Sequence, residues 1–252
     1  MKRLALAVVV IVALAGCASP RSVTIFAAAS LTDAFEDLAA AYTEATGTEI
    51  ALAFDASSAL RTQIIEGAPA DLFASADTGN AEQVVDAGLA DGAARAFAAN
   101  ALTIVVPDEE GGPVDSWEDL ARDDLRIVAA GEDVPISRYA AELVANLASD
   151  DRAPAGFAEA YEANIVSHED NVRAVLTKIE EGEGDAAIVY RTDALSSDAV
   201  RMISAPETAN VATTYAFVIV EDAAPETTAF ADWLVGPEEQ AILEEHGFLP
   251  AP

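Results

Sequence analysis

The chain is short of basic residues, and this shortage narrows the range of partners it can have. Only 13 Lys and Arg stand against 44 Asp and Glu, which gives a formal net charge of −31. Nucleic acids and anionic lipid surfaces are bound through basic patches that neutralise phosphates, so the charge argues against both. Hydrophobic residues make up 52% of the 252 positions, which is enough apolar material for one large or two small packed domains.

Histidine and cysteine are almost absent, which leaves little material for catalysis or metal binding. His168 stands in the acidic segment "SHEDN", predicted as a solvated loop, and His246 is predicted to cap the last helix. Neither fits H-E-x-x-H, there is no cysteine pair, and no G-x-S-x-G occurs. We therefore expect a protein that is not an enzyme and that holds neither a metal cation nor a cofactor.

The N-terminal segment differs from the rest of the chain. A basic start is followed by "LALAVVVIVALA", an apolar run too short to cross a bilayer comfortably, and then by "LAGC" ending at Cys17, the only cysteine. This pattern predicts a signal peptide over 1–16 and resembles a bacterial lipobox. We expect Cys17 to be lipidated and 17–21 to be a linker that anchors the protein to the membrane outside the cytoplasm. The alternative is an ordinary signal peptide that happens to contain Cys17.

Strand patterns alternate with amphipathic helix patterns along the rest of the chain, which indicates an α/β fold with parallel sheets. The segment 100–107 is predicted as a single strand. The length that remains after cleavage allows two α/β domains, and ligands then bind in the cleft between them, at the carboxyl ends of the strands. We place domain I at 22–100 plus 211–252 and domain II at 101–210.

Neutral hydrogen-bond donors recur where predicted strands meet helices. Ser30 ends the strand "TIFAAA" and begins an S-x-x-D pattern, which predicts a helix cap with a hydroxyl proton left to donate. Helix starts attract anions through unpaired N–H groups and partial positive charge. Donors without a basic partner suit a fully ionised oxyanion. The other junctions supply the hydroxyl of Ser57 or Ser58, the N–H groups of Ile136 and Ser137 after Pro135, the N–H of Val172 and the phenol of Tyr190.

Several motifs resemble the molybdate-binding proteins of ABC transporters. In chain order they are "FAAASL", "SSALRTQIIEGAPADLFASAD", "VPISRY", "NVRAVL", "AIVY" and "GPEEQAILEEHGF". The resemblance implies a type II periplasmic-binding-protein fold, with two α/β domains and a cleft that holds molybdate or tungstate. It also implies delivery of that anion to the membrane permease of an ABC transporter, and we expect a monomer. Carried over by motif, the ligand contacts fall on Ser30, Ser57, Ile136, Val172 and Tyr190, with Ile136 and Val172 acting through their N–H groups.

Two other functions stay open at the level of the sequence. The protein could be a receptor for another tetrahedral oxyanion, sulfate or phosphate. Phosphate retains a proton and usually meets a carboxylate acceptor, a role that Asp55 could fill if it pointed inward. A more remote alternative is a secreted hydrolase that uses Ser30 as its nucleophile, which would require a positioned base.

Overall fold

The computed structural model describes residues 22–109 and 111–252, so the predicted signal peptide, the linker and Cys17 lie outside the described residues. Within this part of the chain, ten strands form two five-stranded sheets. The strands are β1 Ser22–Ala28, β2 Glu49–Asp55, β3 Leu72–Ser75, β4 Arg95–Asn100, β5 Leu102–Pro107, β6 Ile127–Ala130, β7 Ile165–Glu169, β8 Ala186–Tyr190, β9 Val200–Ile203 and β10 Thr213–Ile219.

Most helices follow the apolar periodicity of the sequence. The first of them buries Phe35, Leu38 and Tyr42 on one face and stops at Gly47, whose φ of 72° is the left-handed conformation that glycine adopts easily. None of the described helices is long and apolar enough to cross a membrane. The helices are α1 Thr32–Thr46, α2 Ser57–Ile65, α3 Thr78–Asp86, α4 Pro135–Ala148, α5 Phe157–Ala163, α6 Val172–Glu180, α7 Arg191–Leu195, α8 Glu226–Leu234 and α9 Pro237–Glu245.

Both sheets have the same topology. The first has the order β2-β1-β3-β10-β4 and the second β7-β6-β8-β5-β9. In each, one strand pairs in parallel with two neighbours (β1 with β2 and β3, β6 with β7 and β8). One strand in each sheet, β10 or β5, runs antiparallel to both of its own neighbours. The predicted α/β fold with two domains is therefore confirmed, but the expectation of parallel sheets is wrong, because each sheet contains one antiparallel strand brought in by a crossover.

The strand predicted over 100–107 is present as β5 but starts at Leu102, because the chain passes from one sheet to the other at 100–102. β4 ends at Asn100, whose side-chain Oδ1 accepts a hydrogen bond from the N–H of Ala101 at 2.9 Å, and β5 starts at Leu102 in the second sheet. The return passage lies beside it, since the Asn210 amide bonds both the N–H and the carbonyl of Leu102, at 3.0 and 2.9 Å. Two adjacent crossovers thus join the sheets.

The two histidines have separate outcomes. His168 lies in the strand β7 rather than in a loop, although its side chain is exposed as expected. His246 is the C-cap residue of α9, which confirms its predicted place, and its Nε2 lies 2.8 Å from Asp37 Oδ2. The short elements α5, β7 and α7 are additions that the sequence patterns do not predict.

Candidate anion-binding site

Strand ends from both sheets meet around a small buried cavity. The volume open to the centre of a water-sized sphere is about 10 Å³, far below the 300–1,000 Å³ typical of pockets for organic ligands. No charged side chain of the described residues lines it. The cavity therefore suits one compact group held by neutral atoms. Its lining consists of Ala28, Ala29, Ser30, Ala56, Ser57, Ala76, Val134, Pro135, Ile136, Asn171, Val172 and Tyr190.

All five residues that the resemblance singles out line this one cavity. Each lies at the start of a helix: Ser30 in the 3₁₀ turn before α1, Ser57 in α2, Ile136 in α4, Val172 in α6 and Tyr190 just before α7. The first N–H groups of a helix have no partner within it and carry partial positive charge. Several helix starts directed at one neutral cavity create an environment suited to an anion.

The serine of α2 that faces the cavity is Ser57. Its Oγ accepts a hydrogen bond from the N–H of Ala76 at 3.0 Å, so its own proton remains to be donated. Ser58 is buried but does not line the cavity, and the N-cap position belongs to Ala56. Of the two serines left open by the sequence, the geometry favours Ser57 as the ligand contact.

Ser30 does not act as the predicted helix cap. The N-cap position of α1 is Leu31, and no side chain caps this helix. The Ser30 Oγ lies instead 2.9 Å from the phenol oxygen of Tyr215, which stands 185 positions away in β10. Sequence reasoning missed Tyr215 because nothing local marks so distant a partner.

At the third junction it is Ile136, and not Ser137, that lines the cavity. The Ser137 hydroxyl donates to the carbonyls of Ala130 and Gly131, at 2.9 and 2.7 Å, and its N–H donates to Val134 at 3.0 Å. Ser137 is thus occupied away from the cavity. Ile136 follows the N1 proline of α4 and lines the cavity, and its N–H has no acceptor among the described residues.

The start of α6 is held by Asn171. Its Oδ1 accepts from the N–H of Ala174 at 3.0 Å, which is the usual N-cap bond and leaves the N–H of Val172 without a side-chain partner. The Asn171 Nδ2 lies 3.4 Å from Asp55 Oδ1. Asp55 is engaged there and does not line the cavity.

Tyr190 supplies the least satisfied donor of the site. Its side chain is 1% exposed, and its hydroxyl has no hydrogen-bond partner among the described residues. Burial raises the pKa of Tyr190 well above its ordinary value, and the nearby Tyr215 raises it further. The phenol therefore keeps its proton at ordinary pH and remains a donor that lacks an acceptor.

Basic side chains lie at the rim of the cleft, where carboxylates of the first domain neutralise them. Arg138 of α4 places Nη2 3.3 Å from Asp77 Oδ2, at the N-cap of α3. Arg173 of α6 forms an ion pair with Asp33 of α1. These contacts bridge the two domains around the cavity while leaving its interior neutral. Within the described part of the chain, no group of three or more His, Cys, Asp or Glu could hold a metal cation.

A buried carboxyl group lies behind the same rim. Asp193 in α7 is fully buried, and its Oδ1 lies 2.8 Å from Arg173 Nε. Burial raises the pKa of Asp193 to about 7, against the opposing effect of Arg173. At pH 5 the folded protein therefore holds a proton that the unfolded chain has released, because the ordinary pKa of this group is 3.8.

Replacing this carboxyl by an amide should remove a pH-dependent loss of stability. Between pH 5 and about pH 7 only the folded parent holds the proton on Asp193, so its free energy of unfolding falls over this range and levels off above pH 7. One pKa unit corresponds to about 1.4 kcal/mol, so the stability of Asp193→Asn relative to the parent should rise by roughly 3 kcal/mol over this range. Urea unfolding at both pH values measures it.

The control for this prediction is Asp33→Asn, which removes the other carboxylate partner of Arg173 at a partly exposed position. It reports what loss of an ion pair to Arg173 does without removing the buried carboxyl. A stability difference between Asp193→Asn and the parent that stays constant or shrinks as the pH rises would contradict the prediction.

The fold and the site together define a class of protein. Two α/β domains are joined by two crossovers, and a small neutral cavity lies between their strand ends. This is a type II periplasmic-binding fold, the architecture of solute-binding proteins. The chain belongs to the family of bacterial extracellular solute-binding proteins, which it matches over residues 23–249. Membership of this family also answers the question of catalysis, because the protein is a binding protein and not an enzyme.

Individual relatives agree with this assignment. The molybdate-binding protein ModA of Escherichia coli K12 is 34% identical over 235 residues, which cover 90% of this chain and 88% of the relative. A putative ABC transporter substrate-binding lipoprotein of Bacillus subtilis, YvgL, is 32% identical over 93% of this chain and 92% of its own. The periplasmic molybdate-binding protein of Azotobacter vinelandii shares the fold, with a TM-score of 0.76, 21% identity, and coverage of 91% of this chain and all of the other.

Proposed function

We propose that this protein captures molybdate or tungstate outside the cytoplasm and delivers it to the membrane permease of an ABC transporter. The anion is a transported ligand and not a cofactor. The single observation that carries the proposal is the buried cavity lined by Ser30, Ser57 and Tyr190 with no charged side chain among the described residues. Support for the particular anion comes from the relatives named as molybdate-binding proteins, which align with almost the whole chain.

The polarity of the cavity argues against phosphate. Near neutral pH, phosphate carries a proton that needs an acceptor, and Asp55, the sequence's candidate for that role, lies outside the cavity lining. Molybdate, tungstate and sulfate are fully ionised and accept hydrogen bonds from every side. A cavity of hydroxyl and N–H donors therefore matches these three dianions better than it matches a protonated oxyanion such as hydrogen phosphate.

The hydrolase alternative lacks its base. Ser30 contacts the phenol of Tyr215, whereas His168 lies on the exposed side of β7 and His246 pairs with Asp37. A serine nucleophile needs an adjacent general base in hydrogen-bond reach, and neither described histidine is one.

Calorimetry against molybdate, tungstate, sulfate and phosphate tests the proposal. We expect molybdate and tungstate to bind most tightly and with similar affinity, sulfate to bind more weakly, and phosphate to bind most weakly of the four. Tighter binding of sulfate than of molybdate would show that sulfate is the ligand. Absence of binding to all four anions would contradict the proposed function.

We further propose that Cys17 is the lipid-modified N-terminus and that the protein acts as a membrane-anchored monomer. The support is the lipobox-like "LAGC" and the lipoprotein name of the Bacillus subtilis relative. Several acyl chains on one residue hold a protein firmly at a membrane. The domain limits at 22–100 plus 211–252 and 101–210 remain a proposal, supported by the sheet membership of the strands on either side of them.

The anchor leads to a direct prediction. Mass spectrometry of the membrane fraction should find a diacylglyceryl group on Cys17 and no residue before it. The Cys17→Ser variant should move to the soluble fraction while binding molybdate as the parent does. A parent protein that is soluble and cleaved at another position would refute the anchor.

A further inference from the structure

A chain of buried polar groups lies directly behind Ser30. The Tyr215 phenol oxygen is 2.9 Å from Ser30 Oγ and 3.4 Å from Asn100 Nδ2. The Asn100 amide is oriented by its other contacts: its Oδ1 accepts from the Ala101 N–H at 2.9 Å, and its Nδ2 donates to Thr192 Oγ1 at 2.9 Å. Asn100 therefore presents N–H, a donor only, to the tyrosine.

These contacts favour one direction of proton donation. A phenol has one proton, and since Tyr215 accepts from Asn100, that proton is available for Ser30. Burial raises the pKa of Tyr215 well above its ordinary value, so the proton stays on the phenol. Once Ser30 Oγ accepts from Tyr215, its own proton points to the remaining neighbour, which is the cavity.

We propose that Tyr215 is a positioning residue that keeps Ser30 a hydrogen-bond donor and so excludes protonated oxyanions from the site. Tyr215 does not line the cavity and would act only through Ser30. This inference rests on the proposed function and deepens it, because it names the group that sets the selectivity of the same site.

A comparison with Ser57 shows why Tyr215 can determine the donor role of Ser30 in particular. The oxygen of Ser57 accepts from the Ala76 N–H, which is a backbone donor and cannot reverse. Ser30 is backed by a hydroxyl, which can donate or accept, and the amide of Asn100 decides which. The donor role of Ser30 is thus the one that a side-chain replacement can undo without any change in the atoms that touch the ligand.

Removal of the phenol oxygen should weaken molybdate binding and reduce the selectivity for molybdate over phosphate. In Tyr215→Phe the Ser30 hydroxyl is free to rotate, and its oxygen can accept the proton of hydrogen phosphate. We expect molybdate affinity to fall by about 3- to 10-fold. The ratio of molybdate to phosphate affinity should fall by more than this, because phosphate binding improves at the same time.

The experiment is a calorimetric cycle of the full chain, Tyr215→Phe, Ser30→Ala and the double variant against molybdate, sulfate and phosphate. Tyr42→Phe is the matched control, because Tyr42 is buried in the same domain against Phe230 and Trp233 and lies away from the cavity. We expect Tyr42→Phe to bind as the parent does. In the Ser30→Ala background, Tyr215→Phe should change the affinity ratio by less than about twofold, since the group it controls is gone.

Two results would overturn the inference: an equal effect of Tyr215→Phe with and without Ser30, or a loss of molybdate affinity with an unchanged ratio to phosphate. The parent titration separates these from failure of the proposed function. If the parent prefers sulfate, the ligand assignment fails, and the same cycle measured as sulfate against phosphate still tests Tyr215. If the parent binds no oxyanion, function and inference fail together.

Discussion

Tyr190→Phe should lower molybdate affinity by about 10- to 150-fold without weakening the fold. The phenol hydroxyl is buried at the cavity wall and has no partner in the described residues, so a bound dianion gives it its acceptor. A hydrogen bond to a charged group contributes about 1.5–3 kcal/mol, and 1.4 kcal/mol corresponds to a factor of ten. Calorimetry with molybdate measures the loss.

The second part of this prediction concerns the stability of the Tyr190→Phe variant without ligand. Because removal of an unsatisfied buried hydroxyl takes away a desolvation penalty, the free energy of unfolding without ligand should stay the same or rise by about 1–3 kcal/mol. Tyr161→Phe is the control, since Tyr161 is buried in α5 and lies outside the cavity lining. Unchanged affinity in Tyr190→Phe would show that the anion binds elsewhere.

Ser57→Ala should lower both affinity and stability. The hydroxyl has two roles: it can donate to the ligand, and its oxygen accepts from the buried N–H of Ala76. Loss of the first should reduce molybdate affinity by about 10- to 150-fold. Loss of the second leaves an N–H without an acceptor and should reduce the free energy of unfolding by about 1–3 kcal/mol.

The adjacent serine provides a matched control for this variant. Ser58 is also buried at the start of α2 but does not line the cavity. Ser58→Ala should therefore bind molybdate as the parent does, with urea unfolding and calorimetry performed on both variants. The reverse result, with Ser58→Ala impaired and Ser57→Ala normal, would assign the contact to the other serine.

The sequence predicted those parts of the molecule that local patterns determine. Apolar spacing together with a glycine stop predicts α1, because the buried face and the left-handed residue at Gly47 are both local. The junctions that carry the five candidate contacts could also be found locally, but the local pattern left Ser57 or Ser58 and Ile136 or Ser137 open, and the particular five came from the resemblance. The sequence was insufficient where a local pattern competed with a distant partner, as at Ser30, whose oxygen contacts Tyr215 instead of capping α1.

The features that the sequence did not predict depend on pairs of residues that only the fold brings together. The ion pairs of Arg138 with Asp77 and of Arg173 with Asp33 join residues of different domains, and no spacing rule predicts them. The short elements α5 and α7, of seven and five residues, are too brief for a periodic signal. The break at Ala101 within an apolar run depends on strand partners in two different sheets and on the side chain of Asn100.

The place of β10 in the first sheet has a consequence for the order in which the protein can be completed. This strand is the last in the chain, yet it lies between β3 and β4 and is the neighbour that joins β4 to the sheet. A growing chain that has not reached Thr213–Ile219 leaves β4 without that partner, so the first domain waits for the second to be synthesised. Contacts of such long sequence separation slow folding, because a large loop must close before they form. The earlier strands of the first domain are therefore synthesised well before the sheet that contains them can be completed, because most of the chain must be made in between.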